Sequence, residues 1–239
     1  MTEFTYTLTF RSSVSVFSGL AVAGLVDRMV VRNRDGLPCI LGSSVKGRWR
    51  FFAERLLLSS NLPVGLKMHK GPLCKDRDTA CTLCKLFGNS AFPSMIWVGQ
   101  AELDNSLREP FQSLLKKNKN PVVHPDAELR PGIALSRTRR TAMDYHLFFD
   151  EAVPASVIFT GSILVNGVLS DLERDFLIAS GRLVDHIGGR KAVGRGILDG
   201  GIKINGGTKI NSRTPEDGGI KPDRDIKPDS GINTTGGVA

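Results

Sequence analysis

A cluster of cysteines near the middle of the chain is the sequence feature that most constrains its fold. Three of the four cysteines lie close together in sequence, at Cys74, Cys81 and Cys84, and His69 lies shortly before the first of them. Cys81-x2-Cys84 has the spacing of a zinc knuckle, and four nitrogen or sulfur ligands fit a closed tetrahedral site. We therefore expect residues 69–84 to hold a structural Zn2+, with Cys74 as the third thiolate and His69 as the fourth ligand.

Two alternatives to this ligand set stay open. His124 or His146 could replace His69, and the thiols could also be reduced, buried cysteines that bind no metal. The segment is polar and contains glycine and proline, so few apolar residues are available for packing. Metal ligation would explain how such a segment becomes ordered.

The remainder of the chain predicts a mixed domain of strands and helices. Residues 4–18 alternate apolar and polar side chains, with many β-branched and aromatic members, which indicates one or two half-buried strands. Two segments have helical spacing, 45–58 and 169–181, and the second begins at a cap of Ser170 or Asp171. Shorter strands are expected at 96–101, 157–165 and 197–204.

The charge balance favours a polyanionic partner. The formal net charge of the 239 residues is +8, but acidic residues are mixed throughout, so any basic face must arise from folding. No apolar run approaches the length of a membrane span, and the polar N-terminus is unlike a signal peptide. We expect a cytoplasmic protein with no membrane partner.

The first basic segment is a turn followed by a helix, at residues 35–50. Gly42, Ser43 and Ser44 precede the predicted helix and offer hydroxyls that can cap it. Helix N-termini bind phosphates readily, and the cations follow in the first turns. An ordinary capped surface helix with solvated charges is the alternative. The candidate phosphate ligands are Ser43, Ser44, Lys46, Arg48 and Arg50.

Two further basic segments follow later in the chain. A β-hairpin is predicted with strands at 132–136 and 145–151 and a basic tip at 137–142, which suits a nucleic-acid contact arm or simply a solvated hairpin. A glycine-rich loop at 187–197 could bring backbone N–H groups to a phosphodiester chain, although one such loop is weak support. The candidate contact residues are Arg137, Arg139, Arg140, Met143, Arg190, Lys191 and Arg195.

The order of these motifs resembles the RAMP superfamily of CRISPR-associated proteins, and in particular the repeated backbone subunit of type III effector complexes. The resemblance covers residues 4 to about 204. It rests on Gly-Leu-Pro-x-Ile-x-Gly-Ser-Ser-x-Lys-Gly-x-x-Arg at 36–50 and on Cys-x2-Cys-x-Leu-Phe-Gly from Cys81. It continues through Arg-Pro-Gly-Ile-Ala-Leu-Ser-Arg, Phe-Phe-Asp-Glu-Ala-Val-Pro and the glycine-rich loop.

The resemblance implies an α+β fold with a ferredoxin-like, RRM-type antiparallel sheet as its core. A zinc knuckle at 69–84 and a long β-hairpin thumb at 124–152 would be inserted into one domain over 1–205. Residues 206–239 would form a flexible or extended tail or linker. The implied partners are a guide CRISPR RNA, its complementary target RNA and other RAMP-type subunits of the same ribonucleoprotein complex.

The resemblance also implies that Asp27 cleaves the target RNA with a divalent ion, Mg2+ or Mn2+. A lone aspartate can bind such an ion or position a 2′-hydroxyl, and Asp35 is the nearest further carboxylate in sequence. Arg28 and Met29 stand where an Asn-Pro-like pair often follows the aspartate in the family. The arginine would keep Asp27 ionised or would pair with it and silence it.

Three functions are compatible with these features. The first is a guide-binding endoribonuclease that uses Asp27, and the second is an inactive structural subunit that only holds and spaces the guide–target duplex. The third is a guide-processing endonuclease, as other members of the superfamily are. Those enzymes use histidine acid–base chemistry, and the four scattered histidines of this chain disfavour it.

Overall fold

The structure, a computed structural model, describes residues 2–59, 65–68, 74–118 and 124–209, with the side chains through 206. The mixed α/β composition predicted from the sequence is confirmed. No helix in these ranges is both long and apolar enough to cross a membrane. In chain order the elements are β1 (Thr2–Phe10), β2 (Cys39–Ile40), α1 (Gly42–Leu57), α2 (Thr82–Phe87), β3 (Ile96–Val98), β4 (Ala101–Leu103), α3 (Asn105–Lys117), β5 (Glu128–Ser136), β6 (Thr141–Ala152), β7 (Ile158–Val165), α4 (Asp171–Arg182) and β8 (Leu198–Lys209).

An antiparallel sheet forms the centre of the fold, with the strand order β2-β4-β7-β1-β8 and β3 also paired to β7. β1 lies between β7 and β8 and is antiparallel to both. The alternation predicted for residues 4–18 is confirmed along β1, where Tyr6, Leu8 and Phe10 are fully buried. Beyond Phe10 the regular strand stops, and Val14 and Phe17 form only isolated bridges.

Two helices cover one face of this sheet, as the predicted apolar stripes require. Val45, Trp49 and Ala53 of α1 are fully buried, and the Trp49 indole Nε1 donates to Ser180 Oγ of α4 at 2.9 Å. α4 begins with the predicted cap, because the Ser170 hydroxyl and the Glu173 carboxylate bond reciprocally to each other's backbone N–H. The pairing of Trp49 with Ser180 therefore fixes α1 against α4 in the core.

The start of α1 differs from the prediction. Ser43 and Ser44 do not cap the helix, because it already begins at Gly42 and the capping position is Leu41, which makes no side-chain hydrogen bond. A Cβ at Gly42 would lie 2.1 Å from the Val98 carbonyl oxygen and 2.7 Å from that of Gly99. The helix thus begins where only a glycine can approach the β3–β4 connection, and both serines lie in its first turn.

The region around the cysteines is packed into the core more firmly than its polar sequence suggests. Leu83, Leu86 and Phe87 of α2 are buried, and the ring of Phe87 meets that of Trp49 edge-on, with the centroids 5.7 Å apart. The Lys85 ammonium is also paired with Glu173 of α4 at 2.7 Å. Residues 69–73 lie outside the described residues, so the position of His69 is not part of the structure.

The predicted hairpin is formed by β5 and β6 and has a tip at 137–140. Its outer half is exposed, whereas Asp150, Glu151 and Ala152 at the end of β6 are buried. β8 continues through Lys209, past the expected strand end near 204. Residues 210–239, which make up most of the predicted tail, lie outside the described residues.

Candidate nucleic-acid interface

Asp27 is exposed and lies on a loop that is bonded to the base of the β5–β6 hairpin. The backbone N–H of Phe149 donates to Asp27 Oδ2 at 2.7 Å, and the Asp27 N–H donates to the Phe149 carbonyl at 2.9 Å. The N–H of Glu151 donates to the Arg28 carbonyl at 2.9 Å. The β6 backbone therefore sets the direction of the Asp27 carboxylate, whose second oxygen has no hydrogen-bond partner among the described residues.

Arg28 does not pair with Asp27. Within the described ranges its ion-pair partner is Asp150, with Arg28 Nε 3.9 Å from Asp150 Oδ1. The Arg28 guanidinium also lies 5.6 Å from the ring centroid of Phe17. Among the described residues, Arg28 therefore does not form the ion pair with Asp27 that would silence the aspartate.

Asp150 is a buried carboxylate at which three arginines meet. Its side chain is 1% exposed, and Arg190 Nε donates to its Oδ2 at 2.7 Å. Arg195 contributes a second guanidinium 3.8 Å from the same oxygen, and Arg28 is the third. Because a buried carboxylate is costly without such partners, Asp150 holds the glycine-rich loop against β6. The hairpin and the glycine-rich loop, which are separate segments in the sequence, are therefore in contact in the structure.

Glu151 is a second buried acid at this place. It is 3% exposed, and its Oε2 accepts the backbone N–H of Val30 at 2.9 Å. Sequence reasoning assigned no role to Asp150 or Glu151. The available signal was an acidic pair directly after Phe148 and Phe149 in a strand. Alternation turns only one of two adjacent side chains inward, whereas the structure buries both.

Three of the predicted phosphate ligands on α1, Lys46, Arg48 and Arg50, are engaged within the protein. Lys46 Nζ donates to Ser94 Oγ at 2.6 Å and to the Ile96 carbonyl at 3.2 Å. Arg50 donates to the Gly88 carbonyl at 2.5 Å. Burial lowers the pKa of Lys46, and the charge of Arg50 lowers it further. The Lys46 and Arg50 side chains therefore hold the loop that follows α2, and they keep only partial exposure.

Arg48 faces the opposite side of α1. Its guanidinium donates to Asp185 Oδ1 and to the His186 carbonyl, each at 3.2 Å, and its side chain is only 19% exposed. It also stacks over Phe51 and Phe52, at 4.9 and 4.8 Å from the ring centroids. Ser44 and Arg48 share a cleft of about 480 Å³ with Gly188 and Gly189 of the glycine-rich loop. The structure thus brings the first turns of α1 and this loop together, whereas Ser43 is exposed nearby.

The hairpin tip carries charge that the protein itself does not neutralise. Arg137, Arg139 and Arg140 are exposed and form no ion pair with any described residue. Met143 is 45% exposed, and Tyr145 is fully exposed. Lys191 of the glycine-rich loop is likewise exposed, in a short 3-10 turn at Lys191–Val193. These side chains are available to an external polyanion.

The three cysteines of the predicted knuckle come together. The Sγ atoms of Cys74, Cys81 and Cys84 all lie within 4.8 Å of one another, a separation that one tetrahedral Zn2+ can bridge. The Cys81 N–H donates to Cys74 Sγ at 3.4 Å, which lowers the pKa of the Cys74 thiol. No described histidine joins this group. The donor set therefore fits three ligands of a zinc site.

Comparisons with known proteins add the fold family. Solved structures with a similar chain include the "Cryo-EM structure of the Type III-B Cmr-beta bound to cognate target RNA", at 14% identity and a TM-score of 0.56. The "Type III-B Cmr-beta Cryo-EM structure of the Apo state" matches at 14% identity and 0.57. Each match covers 84% of this chain and 96% of the other.

Among curated protein sequences, none matches this chain significantly. The profile of the RAMP superfamily, in contrast, matches residues 7–199. This span runs from β1 into β8 and includes the Asp27 loop, the cysteines, the hairpin and the glycine-rich loop. The chain belongs to the RAMP superfamily.

Proposed function

We propose that this chain is a backbone subunit of a type III CRISPR effector complex, which binds a guide RNA and cleaves complementary target RNA at Asp27. The observation that carries the proposal is the exposed Asp27 carboxylate, held at 2.7 Å by the Phe149 N–H beside the glycine-rich loop and the hairpin. Similarity to chains of the Cmr-beta complexes, one of them bound to cognate target RNA, supports RNA and further subunits as partners.

The connectivity supports a ferredoxin-like core within this proposal. Apart from the two-residue β2 and the short α2, β1 is followed by α1 and then by β3 and β4, and β7 is followed by α4 and β8. With the order β4-β7-β1-β8, this is a βαββαβ arrangement in which both helices cover one face. The β5–β6 hairpin enters between β4 and β7 and corresponds to the proposed thumb at 124–152.

The proposed guide contacts divide into two groups. Ser44 and Arg48 line the cleft beside Gly188 and Gly189, where a phosphodiester would meet a hydroxyl and a guanidinium. Ser43 is exposed and is adjacent to Ser44 in the chain. The exposed arginines of the hairpin tip, with Met143 and Tyr145, would contact the strand that crosses the hairpin. Lys46 and Arg50 act chiefly by fixing the loop that follows α2.

The proposed cleavage uses the target's own 2′-hydroxyl. Asp27 accepts the proton of that hydroxyl while the 2′-oxygen attacks the adjacent phosphorus. The bond from phosphorus to the 5′-oxygen breaks, and the departing oxygen takes a proton from water. The hydroxide that remains accepts the proton held by Asp27, which restores the carboxylate. The products are a 2′,3′-cyclic phosphate and a 5′-hydroxyl, so atoms and charge balance. The hydrogen bond from Phe149 serves to orient Asp27 for this transfer.

A divalent ion fits this site as a partner shared with the substrate. Asp27 offers one carboxylate oxygen without a hydrogen-bond partner among the described residues. Mg2+ is commonly held by one or two carboxylates together with substrate phosphates, so Asp27 and the target backbone would hold it jointly. Such an ion would supply charge stabilisation at the phosphate.

We further propose that Cys74, Cys81 and Cys84, with His69, hold a structural Zn2+.

The test is target cleavage by the assembled complex carrying Asp27→Ala. We expect cleavage opposite this subunit to disappear while the guide and target stay bound. Asp35→Ala is the matched control, because it removes an exposed carboxylate further along the same segment and should cleave normally. Cleavage that persists in the Asp27 variant would leave the chain as a structural subunit that only spaces the duplex.

A further inference from the structure

The guanidinium of Arg28 is partly exposed beside Asp150. It follows Asp27 directly in sequence, and its side chain is 50% exposed. Its closest charged group, Asp150 Oδ1, is 3.9 Å away, which is too far for a hydrogen bond. No other acceptor among the described residues binds it. The Arg28 guanidinium and the Asp27 carboxylate, on adjacent residues, are thus both exposed to solvent.

The surroundings fix the position of Arg28 but provide no hydrogen-bond acceptor for its guanidinium among the described residues. Its N–H donates to the Phe149 carbonyl at 3.3 Å and its own carbonyl accepts the Glu151 N–H at 2.9 Å, so the backbone is fixed on both sides. The ring of Phe17, 5.6 Å from the guanidinium, limits where the side chain can turn. The Asp150 carboxylate attracts the guanidinium at 3.9 Å, a distance at which no hydrogen bond forms.

The charge of Arg28 is also not cancelled by its acidic neighbour. Asp150 is bonded first to Arg190, at 2.7 Å, and Arg195 shares the same oxygen at 3.8 Å. Three guanidiniums thus share one carboxylate, and Arg28 is the most distant and the most exposed of them. A half-exposed guanidinium of fixed position, with no hydrogen-bond acceptor among the described residues, is a site for an anionic oxygen.

We propose that Arg28 binds the scissile phosphate of the target RNA and stabilises the charge that develops on it during cleavage. This inference rests on the proposed function, because it takes Asp27 as the base that accepts the 2′-hydroxyl proton. As the 2′-oxygen bonds to phosphorus and the 5′-oxygen leaves, negative charge grows on the two non-bridging oxygens. The Arg28 N–H groups donate to these oxygens. Arg28 is then a catalytic residue beside Asp27, and Asp150 is the residue that positions it.

The experiment measures single-turnover cleavage by the assembled guide complex at saturating target RNA. The variants are Arg28→Ala and Arg28→Lys, and the matched control is Arg34→Ala, which removes an exposed arginine from the same segment. Losing one preorganised donor typically costs about 100- to 1,000-fold in rate. We expect that loss for Arg28→Ala, a smaller one for Arg28→Lys, and a wild-type rate for the control.

A second measurement separates chemistry from folding. Ethylguanidinium is added to the Arg28→Ala complex, and we expect it to restore part of the rate, whereas it should leave the Asp27→Ala complex inactive. Arg28→Ala cleaving at the wild-type rate overturns the inference alone. A loss that neither lysine nor ethylguanidinium relieves, together with lost guide binding, also overturns it, because the role is then structural. A wild-type complex that binds target without cleaving it overturns the proposed function as well.

Discussion

The backbone N–H of Phe149 donates to the Asp27 carboxylate at 2.7 Å, although the two residues lie 122 positions apart. This bond joins the loop after β1 to the strand that ends the hairpin. Asp150 and Glu151 follow directly in β6. Asp150 accepts a hydrogen bond from Arg190 of the glycine-rich loop, and Glu151 accepts one from the Val30 N–H. The candidate catalytic carboxylate is therefore oriented by the element proposed to contact RNA.

Asp27→Asn tests whether the charge or only the hydrogen bond of Asp27 is needed. The amide oxygen of asparagine can still accept the Phe149 N–H, so the free energy of unfolding should change by less than about 1 kcal/mol. Cleavage should nevertheless be lost, because an amide cannot take the proton of the 2′-hydroxyl. Thermal unfolding and single-turnover cleavage measure the two effects. An Asn variant that cleaves normally would contradict the assignment of Asp27 as base.

Gly42→Ala tests the close approach at the start of α1. Its new Cβ would lie 2.1 Å from the Val98 carbonyl oxygen, so the helix or the β3–β4 connection must shift. We expect a loss of about 1–3 kcal/mol in the free energy of unfolding, as for other overpacked sites. Gly47→Ala in the same helix meets no atom within 4 Å and should instead stabilise by about 0.5–1 kcal/mol. Urea unfolding of both variants decides the matter.

Cys74→Ala tests the proposed zinc site. Removing one thiolate from a tetrahedral site should lower the zinc content per chain and the melting temperature, and a chelator should destabilise the wild type likewise. Cys39→Ala is the control, because Cys39 is buried on β2 and does not belong to the cysteine group. Its zinc content should match that of the wild type by elemental analysis. Equal zinc in the Cys74 variant would show that this thiol is not a ligand.

Local sequence patterns predict the features of this fold that depend on residues close together in the chain. Alternation along β1, the apolar stripe of α1 and the Ser170–Glu173 cap were predictable, because each depends on residues within a few positions. The start of α1 was not, since the reason lies in the carbonyls of Val98 and Gly99, which are remote in sequence. The serines before a helical stripe indicated a cap that tertiary packing overrides.

The candidate site divides in the same way. The sequence indicated which residues carry positive charge, but it could not tell which of them remain available. Lys46 and Arg50 proved to bond the loop after α2, whereas Arg137 and Arg139 stay exposed. Asp150 was missed because its role depends on arginines from two remote loops, Arg28 and Arg190, whose meeting no spacing in the sequence indicates.

The lowered pKa of His186 predicts that the stability of the fold depends on pH. Burial lowers its pKa, as does the nearby charge of Arg48 and, less strongly, that of Lys191, while Asp185 opposes the shift. The unfolded chain then binds a proton more readily than the folded one at pH values just below 6.5. Stability should therefore fall as the pH drops from about 6.5 toward the lowered pKa. His186→Gln should reduce this loss, which melting temperatures at pH 7.5 and 5.5 would measure. An unchanged pH dependence in that variant would assign the loss to other groups.

The exposed arginines of the hairpin tip should supply electrostatic affinity for RNA without supporting the fold. Arg137 and Arg139 are exposed, so replacing both with alanine should leave the melting temperature unchanged. Each phosphate contact on a single strand contributes about 0.7 to the slope of log K against log salt, so losing two should flatten the slope by about 1.4. Arg50→Ala is the contrasting variant, because its bond to the Gly88 carbonyl makes it structural. That variant should lower the melting temperature with little effect on the slope. A salt titration of RNA binding that gives equal slopes for the wild type and the double variant would place the tip away from the RNA.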